Sequence, residues 1–331
     1  MTIIATPPPA GPGRLGVTLV ALAVIAGAPV RLLAQEPDPT RGDGRAAERQ
    51  LPGIDVPLEA APLEEVELAS ADGVDLRFFV RRPRGDGPFP TILFLHGGGK
   101  HAGPERLRRG LLGGAVQTRF LAKGFAVVEC TRRPFWTEKP DGGDEAVGFD
   151  DAVDDTVRIV AKVRALPGVD GRRLVLYGGS GGGILALVTA SRTDVAGVIA
   201  GEPATVVPLE PEAGAGGAEG RGYRRLMADP QAAYVGERRE AMRAWMAAVR
   251  CPVLVLQGRA EGLYRINTEL LVPELRSLGK EVAVANYPDV KHGFYFGSAG
   301  SGATPELVDR VVKESIDFIS GLPATADGKA R

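Results

Sequence analysis

The stretch LVLYGGSGGGILAL, Leu174 to Leu187, places one serine in a run of glycines between an apolar segment and a helix-like segment. Gly178, Ser180 and Gly182 match G-x-S-x-G, in which a strand turns sharply into a helix and exposes the serine hydroxyl. Side chains two residues before and after the serine would collide in such a turn, and glycine removes that collision. The helix that follows offers free amides to a developing negative charge. The stretch therefore predicts that Ser180 is a nucleophile.

The same glycines also fit a dinucleotide-binding pattern. Gly181, Gly183 and Ala186 follow G-x-G-x-x-A, and Glu202 ends the next predicted strand, where a ribose-binding carboxylate would lie. Such a unit usually opens its domain, whereas several predicted strands precede this one. A dinucleotide-binding oxidoreductase therefore stays an alternative to a hydrolase.

Three other predicted strand ends carry groups that suit acyl transfer. TILFLHGGG ends with His96 and three glycines, a loop whose amides complete an oxyanion hole. VLVLQGRAEG presents Glu261 just beyond its strand, and YPDVKHGFYF presents His292 after the last strand. Ligands gather at the carboxyl ends of parallel strands, so these groups are expected to lie together. The chain order Ser, acid, His is the one that this architecture uses.

The chain has only three histidines, His96, His101 and His292. The first two lie in or beside the predicted oxyanion loop, which leaves His292 as the general base. His96 and His101 are not spaced like a pair of metal ligands on one helical face, and no metal site is predicted.

Arg132 and Arg133 follow the predicted strand that ends at Cys130. At the mouth of the cleft, a guanidinium of this pair could hold an acidic substrate, and Arg132 is the candidate contact. The alternatives are a solvent-exposed pair of charges or a structural ion pair with a nearby aspartate.

Short apolar runs alternate with helical patterns from residue 63 onward, which predicts a mostly parallel sheet covered by helices over residues 63–322. Residues 202–250 interrupt this alternation and predict a small cap. Met242 and Met246 recur there at helical spacing, which indicates packing against the body of the domain. Residues 323–331 are expected to form a flexible tail.

The N-terminal region differs from the rest of the 331-residue chain. Residues 1–34 contain Arg14 followed by an apolar run of about 14 residues, shorter than the roughly 20 of a membrane span. This is typical of a signal peptide cleaved after Ala34 and predicts export to the periplasm or outside the cell; an uncleaved membrane anchor is the alternative. Residues 35–62 are rich in Pro, Gly and charge and predict a disordered linker.

The net charge of −1, without a basic tract, argues against nucleic acid as a partner.

The motifs FLHGGG, LPGVDGRRLVLYGGSGGG, PVLVLQGRAEG and YPDVKHGFY together resemble the α/β-hydrolase superfamily, in particular its dienelactone hydrolase and prolyl-oligopeptidase branch. The resemblance implies an α/β-hydrolase fold with an eight-stranded sheet, no cofactor and a Ser-acid-His triad. On this chain the triad would be Ser180, Glu261 and His292. The implied oxyanion donors are Gly97, Gly98 and Gly181.

The sequence departs from this family in ways that bear on the site. The family usually has aspartate where this chain has Glu261, which is one methylene longer, and Glu202 is the alternative acid. The dienelactone branch often uses a cysteine nucleophile, whereas this chain has Ser180.

The function expected from these residues is hydrolysis of a small ester, or less readily an amide, through an acyl-enzyme. The alternatives are a prolyl-oligopeptidase-like peptidase, the dinucleotide-binding enzyme, and a hydrolase fold that binds without catalysis.

Overall fold

The computed structural model describes residues 31–32, 51–98, 103–135, 148–209, 221–260 and 262–325. In chain order, strands β1 to β9 are Arg31–Leu32, Leu63–Ala69, Asp75–Arg81, Phe89–Leu95, Ala126–Cys130, Val169–Gly179, Gly197–Gly201, Val253–Gly258 and Val282–Tyr287. Helices α1 to α8 are Pro104–Gly113, Ala115–Ala122, Phe149–Arg164, Gly181–Arg192, Val206–Leu209, Arg221–Ala228, Pro230–Ala233 and Gly236–Ala248. Helix α9 (Tyr264–Ile266), a π-helical turn (Asn267–Leu271) and α10 (Val272–Ser277) follow one another, and after two 3₁₀ turns (Phe294–Phe296, Ala299–Ser301) comes α11 (Pro305–Ser320).

The strands form one sheet in the order β1-β2-β3-β5-β4-β6-β7-β8-β9. The pairs among β1, β2, β3 and β5 are antiparallel, and those from β5 to β9 are parallel. Strands β2 to β9 are the eight that the resemblance implied, and β1 adds a two-residue edge strand. The mostly parallel sheet predicted from the alternating pattern is confirmed.

Each central strand is buried on both faces, which explains its continuous apolar sequence. Along β6, Leu174 and Leu176 belong to a core shared with α3, α4 and α8. Val175 and Tyr177 belong to a second core shared with α1, α2 and α11. The sheet is therefore the middle layer of three, and functional side chains are expected at the ends of its strands.

The register of the parallel strands determines which residues meet at the carboxyl edge. Gly179 of β6 pairs with Gly201 of β7, so Ser180 and Glu202 emerge side by side. Strand β4 lies on the other flank of β6 and ends at Leu95, immediately before the HGGG loop. Residues distant in sequence thereby share one edge of the sheet.

The cap expected at 202–250 contains helices α5 to α8, with residues 210–220 outside the described ranges. Met242 and Met246 of α8 are fully buried in the core that includes α4, as their helical spacing predicted. Within the described ranges, no helix is both long and apolar enough to cross a membrane.

Residues 51–62 differ from the predicted disordered linker because they pack on the domain. The amide of Leu51 donates to the carbonyl of Gly297 at 2.7 Å, and Pro52 forms a β-bridge with Gly114. The fully buried guanidinium of Arg81 donates to the carbonyls of Val56 at 2.7 Å and of Ala61 at 3.0 Å. A buried guanidinium needs acceptors, and these backbone carbonyls supply them. Residues 35–50 lie outside the described ranges.

Candidate active site

Ser180 stands at the turn between β6 and α4 with φ 53° and ψ −119°, a conformation rare for a residue with a side chain. A Cβ at Gly178 would lie 2.1 Å from the carbonyl oxygen of Gly182. A Cβ at Gly182 would lie 2.0 Å from the carbonyl oxygen of Leu95. Both contacts are with backbone, so neither can be relieved by rotating a side chain. The steric demand predicted for G-x-S-x-G is present at both glycines.

Glu202 shares this unusual backbone geometry. It follows β7 with φ 43°, and in the described part of the chain it and Ser180 are the two non-glycine residues with positive φ. Its side chain is fully buried, and its Oε1 accepts a hydrogen bond of 3.0 Å from the amide of Gly258. Such conformations persist only where the surroundings impose them, and they concentrate at active sites. The two strained residues are adjacent here, at the ends of neighbouring strands.

His292 lies in the loop after β9, and its Nδ1 is 2.9 Å from Oε2 of Glu202. The side chain of His292 is 36% exposed, whereas that of Glu202 is 0% exposed. The histidine is therefore held from the protein side and open on the other. The structure brings the predicted base together with the alternative acid, Glu202, rather than showing it with the preferred one; Glu261 lies outside the described residues.

A chain of buried polar groups continues behind Glu202. Thr205 Oγ1 donates to Asn267 Oδ1 at 2.7 Å, and Asn267 Nδ2 donates to Gln257 Oε1 at 3.0 Å. The Gln257 amide then donates to the carbonyl of Gly258, whose own amide binds Glu202. Asn267 opens the π-helical turn, a deviation that is frequent near functional sites. This network holds Gly258, which binds the Glu202 carboxylate, and no sequence motif reveals it because its members lie far apart in the chain.

The predicted oxyanion loop packs directly on the turn that carries Ser180. A Cβ at Gly97 would lie 3.5 Å from the Cβ of Ser180. A Cβ at Gly181 would lie 2.7 Å from the carbonyl oxygen of Gly98, which itself has φ +73°. The structure thus brings Gly97, Gly98 and Gly181 together around the serine. Residues 99–102, including His101, lie outside the described ranges.

Arg132 braces this loop from inside the protein. It is 3% exposed, and its guanidinium donates to the carbonyl of His96 at 3.0 Å and to that of Gly98. It also stacks over the ring of Phe135, with Cζ 4.5 Å from the ring centroid. Burial lowers the pKa of this guanidinium from its ordinary value. The prediction that Arg132 contacts substrate at the mouth of the cleft is therefore wrong. Arg132 contacts the loop backbone, because its buried charge needs those carbonyls as acceptors.

Arg133 follows the structural alternative considered for this pair. Its guanidinium forms a two-bonded ion pair with the buried Asp155, at 2.8 and 3.0 Å, and a further bond of 2.6 Å to Asp72. These carboxylates raise the pKa of Arg133, so its charge takes part in a structural ion pair. His96, at the start of the predicted oxyanion loop, has Nδ1 2.9 Å from the carbonyl oxygen of Gly97.

Comparison with known proteins identifies the family of this chain. A model of the alpha/beta hydrolase family matches residues 92–320, which include the end of β4, the Ser180 turn, Glu202 and His292. The chain belongs to the alpha/beta hydrolase family. A comparison with curated proteins gave no match.

Solved structures similar to this hydrolase share its fold at low sequence identity. Esterase Est22 is 20% identical with a TM-score of 0.59, and the match covers 80% of this chain and 82% of that one. A thermostable esterase from Pseudomonas putida ECU1011 is 18% identical with a TM-score of 0.58, covering 82% and 86%. Brefeldin A esterase, described as a bacterial homologue of human hormone-sensitive lipase, is 21% identical with a TM-score of 0.56, covering 81% and 79%. The predicted α/β-hydrolase fold is confirmed, and the dienelactone hydrolase and prolyl-oligopeptidase branch stays a prediction.

Proposed function

We propose that this hydrolase cleaves carboxylic esters with Ser180 as nucleophile, His292 as general base and Glu202 as the acid of the triad. The observation that carries the proposal is the strained pair at neighbouring strand ends, Ser180 and Glu202, with His292 against the carboxylate. The solved relatives named above are esterases, which favours an ester over an amide as the bond cleaved. Glu202 thus replaces Glu261 as the preferred acid.

In this mechanism Ser180 Oγ attacks the ester carbonyl carbon while its proton passes to Nε2 of His292. The carboxylate of Glu202 faces Nδ1, so Nδ1 carries the hydrogen and Nε2 is left as the acceptor. The carbonyl π electrons move to the oxygen, and the amides of Gly181 and of the Gly97-Gly98 loop stabilise the negative charge. The C–O bond to the alcohol then breaks, and His292 returns the proton to that oxygen.

The second half of the reaction repeats these steps with water. His292 takes a proton from a water molecule, the hydroxide adds to the acyl carbon, and Ser180 leaves with the proton from Nε2. No hydrogen bond joins Ser180 Oγ and His292 in the described part of the structure; Nε2 instead lies 3.2 Å from Tyr295 Oη. Catalytic hydrogen bonds often form only once substrate is bound.

The dinucleotide-binding alternative loses support at both sequence features on which it rests, Glu202 and the glycines that open α4. Glu202, which would have held a ribose, is buried against His292. The glycines at the start of α4 pack on backbone: a Cβ at Gly181 would meet Gly98, and a Cβ at Gly183 would lie 3.1 Å from Cα of Pro203. The close approaches that the glycines permit are thus internal to the fold.

The decisive experiment is fluorophosphonate labelling of the full chain with mapping of the tagged residue, followed by assays on p-nitrophenyl esters of increasing acyl length and on a proline anilide. We expect the label on Ser180 and a decrease in kcat by about 10⁴ to 10⁶ in Ser180→Ala. Ser191→Ala is the matched control, because Ser191 lies at the far end of α4 and bonds to its own helix. A label on another residue, or more than a tenth of the activity left in Ser180→Ala, would refute the proposal.

A further inference from the structure

Tyr295 lies three residues after His292, in the 3₁₀ turn Phe294–Phe296, and is 2% exposed. Its Oη is 3.2 Å from Nε2 of His292, the nitrogen that the proposed mechanism uses as the base. The two rings meet edge to face, with centroids 5.7 Å apart and an interplanar angle of 85°. The imidazole is therefore contacted on both nitrogens, by Glu202 at Nδ1 and by Tyr295 at Nε2.

The ring of Tyr295 also lies against the two glycines that precede the strained residues. A Cβ at Gly179 would lie 2.0 Å from Cε2 of the tyrosine, and a Cβ at Gly201 would lie 2.4 Å from its Cγ. Gly179 comes directly before Ser180, and Gly201 comes directly before Glu202. One ring thus supports the backbone from which both side chains emerge.

The backbone of Tyr295 is tied to the same strand as the serine. Tyr177 of β6 donates from its hydroxyl to the carbonyl oxygen of Tyr295 at 2.6 Å. Burial raises the pKa of Tyr177 well above its ordinary value, so the hydroxyl keeps the proton that it donates. This bond holds the 3₁₀ turn, and with it the loop of His292, against the end of β6.

We propose that Tyr295 is a positioning residue that sets the relative placement of Ser180, Glu202 and His292. The proposal rests on the proposed esterase function. The ring fixes the spacing of the strand ends, and the hydroxyl, donating to the unprotonated Nε2, holds the imidazole in the orientation and tautomer that the base needs. When substrate arrives, Nε2 exchanges this donor for the hydroxyl of Ser180. No motif in the sequence points to Tyr295, although glycines at two adjacent strand ends are a sign that another group packs closely on them.

The test compares Tyr295→Phe with Tyr287→Phe in the full chain, using p-nitrophenyl acetate. Tyr295→Phe keeps the ring over the glycines and removes only the contact with His292. Tyr287 is equally buried, but its hydroxyl bonds to Glu314 instead, so it controls for the loss of a buried phenol hydroxyl. We expect kcat of Tyr295→Phe to fall by about tenfold with KM within about twofold, because the contact is with the base and not with substrate. Tyr287→Phe should keep both constants within about twofold.

Fluorophosphonate labelling separates this inference from the function on which it rests. Slower labelling of Ser180 in Tyr295→Phe, with labelling in Tyr287→Phe unchanged, would support the positioning role. Equal kcat and equal labelling in Tyr295→Phe and the wild type would overturn it while leaving the esterase proposal intact. If the wild type itself neither hydrolyses esters nor takes the label, the proposed function fails and this inference falls with it. Should Tyr295→Phe not fold, Tyr177→Phe tests the backbone tie and should lower kcat by a smaller factor; wild-type kcat in that variant would overturn the role.

Discussion

Nδ1 of His292 lies 2.9 Å from Oε2 of Glu202, which the sheet places at the end of β7, next to the strand that carries Ser180. The carboxylate is fully buried and is bonded through its other oxygen to the amide of Gly258. A buried carboxylate that holds an imidazole from behind can stabilise the charged form that arises during proton transfer. Because of this contact we assign the acid of the proposed triad to Glu202, which follows β7, and not to Glu261, which follows β8.

Glu202→Gln is expected to lower kcat for p-nitrophenyl acetate by about 10³ to 10⁴, because an amide cannot stabilise the imidazolium and presents a donor in place of an acceptor. Glu261→Gln is the matched control and should keep kcat within about threefold. The reverse pattern, a severe loss only in Glu261→Gln, would show that the acid follows β8.

Arg132→Met is expected to lower kcat by about 10- to 100-fold, because the guanidinium that holds the carbonyls of His96 and Gly98 is lost and the oxyanion amides are no longer fixed. Arg133→Met is the neighbouring control: it breaks the ion pair with Asp155 and should lower the Tm without a selective loss of kcat. The comparison is made by steady-state kinetics and thermal unfolding. An equal loss of kcat in both variants would contradict the bracing role.

Gly182→Ala is expected to lower the Tm by about 6 °C or more, since its Cβ would meet backbone oxygens of Leu95 at 2.0 Å and His96 at 2.5 Å. Gly183→Ala, one position along the same helix, has its nearest neighbour at 3.1 Å and should lower the Tm by less than half as much. Differential scanning calorimetry measures both. Similar Tm values for the two variants would contradict the steric account of the turn.

Glu129→Gln is expected to remove a pH dependence of stability. Glu129 is buried, accepts a bond of 2.5 Å from Gln117, and burial raises its pKa from 4.5 to about 8. The folded protein therefore retains a proton that the unfolded chain releases, so this contribution is complete below about pH 4.5 and is lost as the pH rises through about 8. Glutamine mimics the protonated form at every pH. The difference in free energy of unfolding, variant minus wild type, should therefore increase by about 2 kcal/mol or more from pH 5 to pH 9.

Denaturant unfolding at pH 5, 7 and 9 checks this expectation. A constant difference between Glu129→Gln and the wild type across that range would mean that Glu129 is already ionised in the folded protein.

Much of the site could be predicted because its signals are local. The glycines two residues away on each side predict Ser180 as the candidate nucleophile, because the turn requires them whatever surrounds it. His292 followed from the small number of histidines and from its place after the last strand. The glycines of the predicted oxyanion loop are recognisable because backbone must approach the serine there.

The acid could not be chosen in the same way. Glu202 and Glu261 each follow a strand, and spacing along the chain does not say which of them reaches the imidazole. The distance from the carboxylate to the imidazole depends on two features of the fold. One is the pairing of β6 with β7, and the other is the position of the loop after β9, which carries His292. The contacts of Arg132 cannot be predicted from the sequence for a related reason. Its guanidinium faces the loop and not the cleft because it packs on Phe135 and donates to the Gly98 carbonyl.

The layered α/β architecture, the strand-to-helix turn and the candidate nucleophile can be predicted from the sequence, because apolar runs and steric exclusion act between near neighbours in the chain. Three relations depend on the packing of the whole domain: Glu202 faces His292, Tyr295 contacts the glycines before both strained residues, and residues 51–62 pack on the domain. These are relations between groups far apart in sequence. Their distances are set by strand register and side-chain packing, which no short stretch of the chain contains.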